Sequence, residues 1–161
     1  MYIFLMVVVA LALGYGLLML GYGYGWKQLK KFVPAKPVSG NTLVSVIIPA
    51  RNEAANLPIL LQALQQQTYP AHLLEIIIID DFSTDDTAAI IADFPAPNVK
   101  LLRMSDHLNA TQRLNSYKKK AIEMAIAQCT GTLIVTTDAD CVMGPRWITT
   151  MVQFYETYQP K

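Results

Sequence analysis

The chain has 161 residues, which is room for one ordinary domain, and its formal net charge is +1 with charged residues at 16%. This balance excludes the basic face of a nucleic-acid-binding protein and the acidic tail that would capture a cationic partner. Hydrophobic residues make up 53% of the chain, and the excess is concentrated at the N-terminus.

Residues 1–26 contain no charged side chain and are long enough, at the rise of an α-helix, to cross a hydrocarbon core. We expect a transmembrane helix over residues 1–26, not a cleavable signal peptide, because the first positive charges, Lys27 and Lys30, follow the apolar run. The positive-inside rule then places the chain from residue 27 onward in the cytoplasm. Residues 27–42, with prolines and small polar residues, predict a juxtamembrane linker.

Four apolar runs after the linker are typical of β-strands, and the second contains four consecutive isoleucines, as expected at the centre of a parallel sheet. A segment with helical spacing follows each run. The order βαβαβαβα predicts an α/β fold with a doubly wound, mostly parallel sheet. The predicted strands are residues 43–49, 73–81, 98–104 and 132–140.

The predicted helices are marked by their caps and by their apolar faces. Ser83 and Asp86 have the spacing of a capping box, and Ser116 and Gly131 are expected to begin and end the third helix. The last helix is expected over residues 145–158. The apolar faces are Leu57, Leu60, Leu61 and Leu64 in the first helix, Ile122, Ala125, Ile126 and Cys129 in the third, and Trp147, Met151 and Phe154 in the last.

Polar side chains follow three of the four predicted strands, at the end of the sheet where ligands of open α/β folds bind. Alternation along the fourth strand would place Asp138 and Asp140 on one side and Ala139 on the other. Two carboxylates on one side, near a second acidic strand end, predict a site for Mg²⁺ or Mn²⁺ with positions left for phosphate oxygens. The polar groups are Pro49, Arg51, Asn52 and Glu53 after the first strand, Asp80 and Asp81 after the second, and Asp138 and Asp140 after the fourth.

Helix capping is the alternative explanation for acidic residues at strand ends. We prefer it for Asp85 and Asp86, which precede the second helix. It does not suit Asp138 and Asp140, because the sequence "CVMGP" that follows offers no immediate helix start. The divalent cation therefore remains the interpretation for that pair.

Four ordered blocks of this sequence resemble those of the family 2 glycosyltransferases, which are inverting enzymes of the GT-A fold that use nucleotide-activated sugars. The blocks are "VSVIIPARNEAANL", "EIIIIDDFSTDDT", "KKKAIEMAI" and "GTLIVTTDADC". The resemblance runs from Val44 to about Trp147. It implies a membrane-anchored glycosyltransferase with a UDP- or GDP-sugar donor and a glycan or lipid-linked acceptor, in which residues 43–161 form the donor-binding half.

The resemblance also implies roles for residues at the strand ends. Pro49, Asn52 and Glu53 would form the first nucleotide-contacting loop, with Glu53 near the ribose or the base. Asp81 would accept a hydrogen bond from the base. Lys118 would lie near the nucleotide or its phosphates, and the alternative for it is an exposed lysine on the third helix.

By the same resemblance, Asp138 would face the ribose or the metal and Asp140 would bind the divalent cation that bridges the diphosphate. The family also needs a general base to deprotonate the acceptor hydroxyl, and we expect it beyond Lys161, in an acceptor-binding half that this sequence does not include. The alternative function is a truncated, non-catalytic remnant that binds nucleotide or membrane. A signalling receiver domain is disfavoured because the opening strand ends in Pro-Ala-Arg instead of an acidic pair.

Overall fold

The computed structural model describes residues 1–33, 41–107 and 117–159. The chain divides into two units, residues 1–33 and residues 34–161. The first unit contains the helix α1 (Tyr2–Gln28), which is long and apolar enough to cross a membrane and has no buried residue. It continues to Gln28, two residues beyond the predicted end at position 26. Residues 34–40 of the predicted linker lie outside the described part of the chain.

The second unit is a four-stranded parallel sheet with helices between the strands, in the strand order β3-β2-β1-β4. This confirms the predicted doubly wound α/β fold, with β1 and β2 at its centre. The strands are β1 (Val44–Ala50), β2 (Leu74–Asp80), β3 (Val99–Arg103) and β4 (Leu133–Thr136). The helices are α2 (Leu57–Gln65), α3 (Thr87–Ala92), α4 (Tyr117–Ile126) and α5 (Trp147–Tyr158), with short 3₁₀ turns at Ala71–Leu73 and Met104–Asp106.

Both faces of the sheet are covered, and successive residues of β1 supply the two hydrophobic clusters alternately. Val46 belongs to the cluster that α2 and α5 complete, while Ile47 belongs to the opposite cluster, which Ala121 and Ala125 of α4 complete. All four side chains are fully buried. Burial on both faces explains why β1 and β2 are continuous apolar runs without the polar alternation of a half-exposed strand.

Several predicted element ends are wrong. The strand β4 stops at Thr136, so the aspartates that follow lie in a loop and a turn. Ser83 does not cap α3: its Oγ accepts a hydrogen bond from the backbone N of Asn52 at 3.0 Å, and Asp85 Oδ1 accepts from the backbone N of Thr87 at 3.1 Å. Asp85 thus bonds the first backbone N of α3, as the capping preference expects, whereas the preference is wrong for Asp86, which is the N-cap residue and makes no side-chain cap bond.

The third predicted helix also ends earlier than expected, at Ile126, and its predicted cap Ser116 lies outside the described residues. Gly131 instead lies against β1, where its backbone N donates to Ser45 Oγ at 2.8 Å. A Cβ at position 131 would come within 2.6 Å of that Oγ. Glycine is therefore required here by close packing on the strand and not by a helix end.

The helix α5 buries a different face from the predicted one. It begins at Trp147, and Ile148 and Val152 are fully buried, whereas Met151 and Phe154 are 43% and 42% exposed. The apolar residues of this helix occupy more than one face, so spacing alone could not select the face that packs on the sheet.

The side chain of Glu75 links neighbouring strands at the amino end of the sheet. Its Oε2 accepts hydrogen bonds from Ser45 Oγ at 2.6 Å and from the backbone N of Thr130 at 2.9 Å, and its Oε1 pairs with Lys100 Nζ at 2.7 Å. Burial of Glu75 acts to raise its pKa, but the bonds from Lys100, Ser45 and Thr130 outweigh it and lower the pKa to about 2. One carboxylate thus joins β1, β2, β3 and the segment before β4.

Replacing Glu75 with Gln is expected to lower the free energy of unfolding by about 1–2 kcal/mol at pH 7, because Ser45, Thr130 and Lys100 lose their anionic acceptor. The folded pKa lies below the ordinary value of 4.5, so this stabilisation is present above pH 4.5 and is lost as the pH falls toward 2. Denaturant unfolding of the full chain in detergent at several pH values measures both effects. The control is Glu123→Gln, which removes an exposed pair with Lys120 at 3.5 Å and should change little. Equal losses for both variants would contradict the prediction.

Candidate functional site

A cleft of about 250 Å³ lies at the carboxyl end of the sheet. Segments that follow β1, β2 and β4 meet there, as expected for parallel strands, and α4 adds a lysine. The cleft brings together six of the seven predicted site residues, all except Asn52. Its lining consists of Pro49, Ala50, Arg51, Glu53, Asp81, Lys118, Asp138, Ala139 and Asp140.

A larger cavity of about 520 Å³ lies at the opposite, amino end of the sheet, around Val44, Leu74 and Glu75. Its charged groups, Glu75 and Lys100, are already paired with each other. We assign the candidate site to the smaller cleft, because that cleft collects four carboxylates and two cations at the ligand-binding end of the fold.

Asp81 is the buried acidic group of the cleft, with its side chain 11% exposed. Its backbone N donates to the carbonyl oxygen of Ala50 at 2.9 Å, which fixes the residue beside the end of β1. Its Oδ1 is buried and has no hydrogen-bond partner among the described residues. A buried carboxylate oxygen without a donor is costly, and this oxygen can accept a hydrogen bond from a donor that enters the cleft.

Arg51 faces Asp81, with 4.0 Å between Nη1 and Oδ2. Burial raises the pKa of Asp81, the Arg51 guanidinium opposes that rise, and the neighbouring Asp80 adds to it. Arg51 was not among the predicted nucleotide-binding residues. Its position in the sequence could have indicated this pairing, because Arg51 directly follows β1 and the parallel pairing brings the ends of β1 and β2 together.

Asn52, a predicted nucleotide contact, is not among the residues that line the cleft. Its backbone φ is 55°, and its side-chain Oδ1 accepts a hydrogen bond from the backbone N of Thr84 at 2.8 Å. The next backbone N, of Glu53, donates to Thr87 Oγ1 at 2.8 Å, and that of Ala54 donates to Asp85 Oδ2 at 3.1 Å. These bonds join the loop after β1 to the segment between β2 and α3 and to the first residue of α3.

Asp138 and Asp140 are both exposed in the cleft, with buried Ala139 between them. The two carboxylates reach the cleft from a loop and a turn and not by alternation along a strand, because β4 has already ended, and Ala139 lines the cleft with them. Asp138 Oδ1 accepts a hydrogen bond from Lys118 Nζ at 2.5 Å. Asp140 Oδ1 accepts a long contact from Cys141 Sγ at 3.7 Å.

The carboxylates of this pair are suitable donors for a hard divalent cation. Within residues 1–33, 41–107 and 117–159, no group of three or more His, Cys, Asp or Glu side chains could hold a metal ion. Mg²⁺ commonly takes one or two protein carboxylates and completes its coordination with phosphate oxygens and water. The pair therefore fits a cation that arrives with a phosphate ligand, and it does not form a cage made of protein alone.

Comparison with solved structures shows that the sheet and its helices have the GT-A fold. The mannosyltransferase PcManGT from Pyrobaculum calidifontis, in complex with GDP-Man and Mn²⁺, matches 92% of this chain and 42% of its own, with 27% identity and a TM-score of 0.72. S. aureus TarS in complex with UDP-GlcNAc matches 72% of this chain and 32% of its own at 23% identity with a TM-score of 0.59, which shows the fold alone.

The chain belongs to glycosyl transferase family 2, whose family model matches residues 45–161. Glycosyltransferase AglE of Haloferax volcanii is 32% identical over 105 residues, 65% of this chain and 33% of the relative. The undecaprenyl-phosphate 4-deoxy-4-formamido-L-arabinose transferase of Sodalis glossinidius is 34% identical over 114 residues, 68% of this chain and 32% of the relative. The chain thus spans about a third of the length of these curated relatives.

Proposed function

We propose that this chain is the donor-binding part of a membrane-anchored glycosyltransferase. The whole enzyme would transfer a sugar from a nucleoside-diphosphate sugar to an acceptor hydroxyl with inversion. The observation that carries this proposal is the cleft at the carboxyl end of the sheet, where a buried, incompletely bonded carboxylate, a lysine and two exposed carboxylates meet in a member of family 2.

We propose that Asp81 binds the base of the nucleotide. Uracil and guanine each present a ring N–H donor, and Asp81 offers a carboxylate whose Oδ1 lacks a partner among the described residues. Arg51 opposes protonation of this carboxylate and so favours the form that only accepts hydrogen bonds. Pro49 and Glu53 form the adjoining wall, with Glu53 directed to the ribose or the base.

The phosphates are assigned to the other side of the cleft. Lys118 supplies an ammonium group, Asp138 faces the ribose or the cation, and Asp140 holds the cation. When bound by Asp138 and Asp140, Mg²⁺ or Mn²⁺ would supply positive charge that favours departure of the diphosphate. The Mn²⁺ bound with GDP-Man in the mannosyltransferase from Pyrobaculum calidifontis supports this assignment.

The helix α1 is the proposed membrane anchor, with Lys27 and the following domain on the cytoplasmic side. A lipid-linked or glycan acceptor is proposed, and the relative named for undecaprenyl phosphate supports the lipid-linked class. The general base is proposed to lie beyond Lys161, in the part of the family's length that this chain does not span.

Isothermal titration of the full chain in detergent with UDP and GDP, with and without Mn²⁺, tests the donor site. We expect one nucleotide to bind, Mn²⁺ to strengthen its binding, and Asp140→Ala to abolish the effect of Mn²⁺ because a metal ligand is lost. The matched control is Asp93→Ala, which changes an exposed aspartate outside the cleft lining. If a folded chain bound neither nucleotide, the donor-site assignment would fail and a non-catalytic remnant would explain the fold better.

A further inference from the structure

The proposed metal-binding carboxylate Asp138 is already engaged by a cation of the chain itself. Lys118 Nζ donates to Asp138 Oδ1 at 2.5 Å, in a charge-assisted hydrogen bond that joins α4 to the loop after β4. Both residues line the cleft. The ammonium group therefore lies where it neutralises one of the two carboxylates on which the proposed cation depends.

This contact opposes the binding of a lone divalent cation in two ways. An oxygen that accepts from an ammonium group is a poorer metal ligand, and a positive charge beside the carboxylate repels a second one. A cation arriving without nucleotide would then find mainly Asp140. One carboxylate is a weak site for Mg²⁺ or Mn²⁺, which rely on phosphate oxygens to complete their coordination.

The same contact is weak enough to open. The side chains of Lys118 and Asp138 are 63% and 56% exposed, and exposed ion pairs contribute little to stability. A diphosphate carries more negative charge than a carboxylate and offers several strong acceptor oxygens. A diphosphate in the cleft can therefore draw Lys118 away from Asp138.

We propose that Lys118 sets the order in which the two ligands bind. Its ammonium group stays bonded to Asp138, in the position of the divalent cation, until a nucleoside diphosphate enters the cleft. The cation therefore binds well only together with the nucleotide or after it. This inference rests on the proposed donor site and adds a second role for Lys118, as a positioning residue that controls when Asp138 is available. The chemistry requires only a diphosphate and a hard divalent cation.

Binding of Mn²⁺ alone tests the inference without any turnover. The full chain in detergent is titrated with Mn²⁺ in the absence of nucleotide, and free Mn²⁺ is measured by electron paramagnetic resonance. We expect Lys118→Met to bind Mn²⁺ about three- to fivefold more tightly than the unaltered chain, because Asp138 is released. Lys118→Arg keeps the charge and should bind like the unaltered chain. Lys119→Met, at the adjacent exposed lysine outside the cleft lining, is the control for loss of surface charge.

Two further readouts separate this inference from a general charge effect. The gain in Lys118→Met should disappear when Asp138→Asn is added, and the same Lys118→Met variant should bind UDP or GDP more weakly in the presence of Mn²⁺. Unchanged or weaker Mn²⁺ binding by Lys118→Met would overturn the inference, as would an unaltered chain that binds the nucleotide but whose Mn²⁺ affinity is the same with and without it. Failure of the proposed donor site is distinguishable, because in that case no variant binds a nucleotide. The comparison of Mn²⁺ affinity between the unaltered chain and Lys118→Met still tests whether Lys118 and the cation compete for Asp138.

Discussion

Asp81→Asn is expected to weaken nucleotide binding by about 30- to 100-fold while leaving the folded chain at least as stable at neutral pH. The binding loss follows because the base N–H needs an acceptor, and a hydrogen bond to a charged acceptor contributes about 1.5–3 kcal/mol. An amide can also present its NH₂ group to the base, which would put two donors face to face. The carboxylate of Asp81 is thus the largest single contribution that we assign to donor binding.

The stability effect has the opposite sign, because burial raises the pKa of Asp81 above its ordinary value of 3.8. A raised folded pKa means that the stabilising contribution is fully present below pH 3.8 and is lost as the pH rises through the folded pKa. At pH values above the folded pKa the ionised Asp81 therefore destabilises the fold, although Arg51 reduces the cost. Removing the charge should raise the free energy of unfolding at pH 7 and have little effect below pH 3.8.

The measurement pairs a nucleotide titration with denaturant unfolding at pH 7 and at low pH, on the full chain in detergent. Asp80→Asn is the matched control: Asp80 is also buried, lies outside the cleft lining, and accepts from the backbone N of Ser83 at 3.2 Å, which an Asn oxygen can still do. It should leave nucleotide affinity nearly unchanged. A large loss of stability in Asp81→Asn, or equal losses of affinity in both variants, would mean that Asp81 has a structural role instead.

The arrangement of the sheet could be predicted from the sequence because its determinants are local. The isoleucines of β2 and the apolar run of β1 each identify a central strand without knowledge of its neighbours. Parallel order then brings the strand ends together, and this is why residues as distant in sequence as Asp81 and Asp138 could be assigned to one cleft.

The details that could not be predicted depend on contacts between distant segments. Ser83 has the spacing of a capping residue, but its hydroxyl bonds to Asn52, 31 residues earlier in the chain. Gly131 resembles a helix end, but its backbone lies on Ser45, 86 residues away. In both cases the local pattern permits several roles, and a tertiary hydrogen bond selects among them. The face of α5 that packs on the sheet also depends on tertiary contacts, since Ile148 and Val152 join the same cluster as Val46.

Asn52 combines an unusual backbone conformation with a hydrogen bond between two loops. Its φ of 55° lies in the left-handed region, where a residue with a Cβ loses about 1–2 kcal/mol unless, like Asn, it tolerates that region. Its Oδ1 also accepts from the backbone N of Thr84 at 2.8 Å, a bond of about 1 kcal/mol. We therefore expect Asn52→Ala to lower the free energy of unfolding by about 2–3 kcal/mol.

Three variants at this position separate the two causes. Asp keeps both the acceptor and the tolerance for positive φ, so Asn52→Asp should be close to the unaltered chain. Gly tolerates positive φ but has no acceptor, and Ala has neither property. The free energy of unfolding in denaturant should therefore fall in the order Asn, Asp, Gly, Ala. Nucleotide affinity should fall in the same order, because the loop that carries Arg51 and Glu53 is no longer bonded to the loop after Asp81.

An Ala variant as stable as the Gly variant would show that the backbone conformation at position 52 is not a cause of the stability loss. A stable Ala variant that nevertheless lost nucleotide binding would show instead that Asn52 contacts the nucleotide directly, as the family resemblance implies.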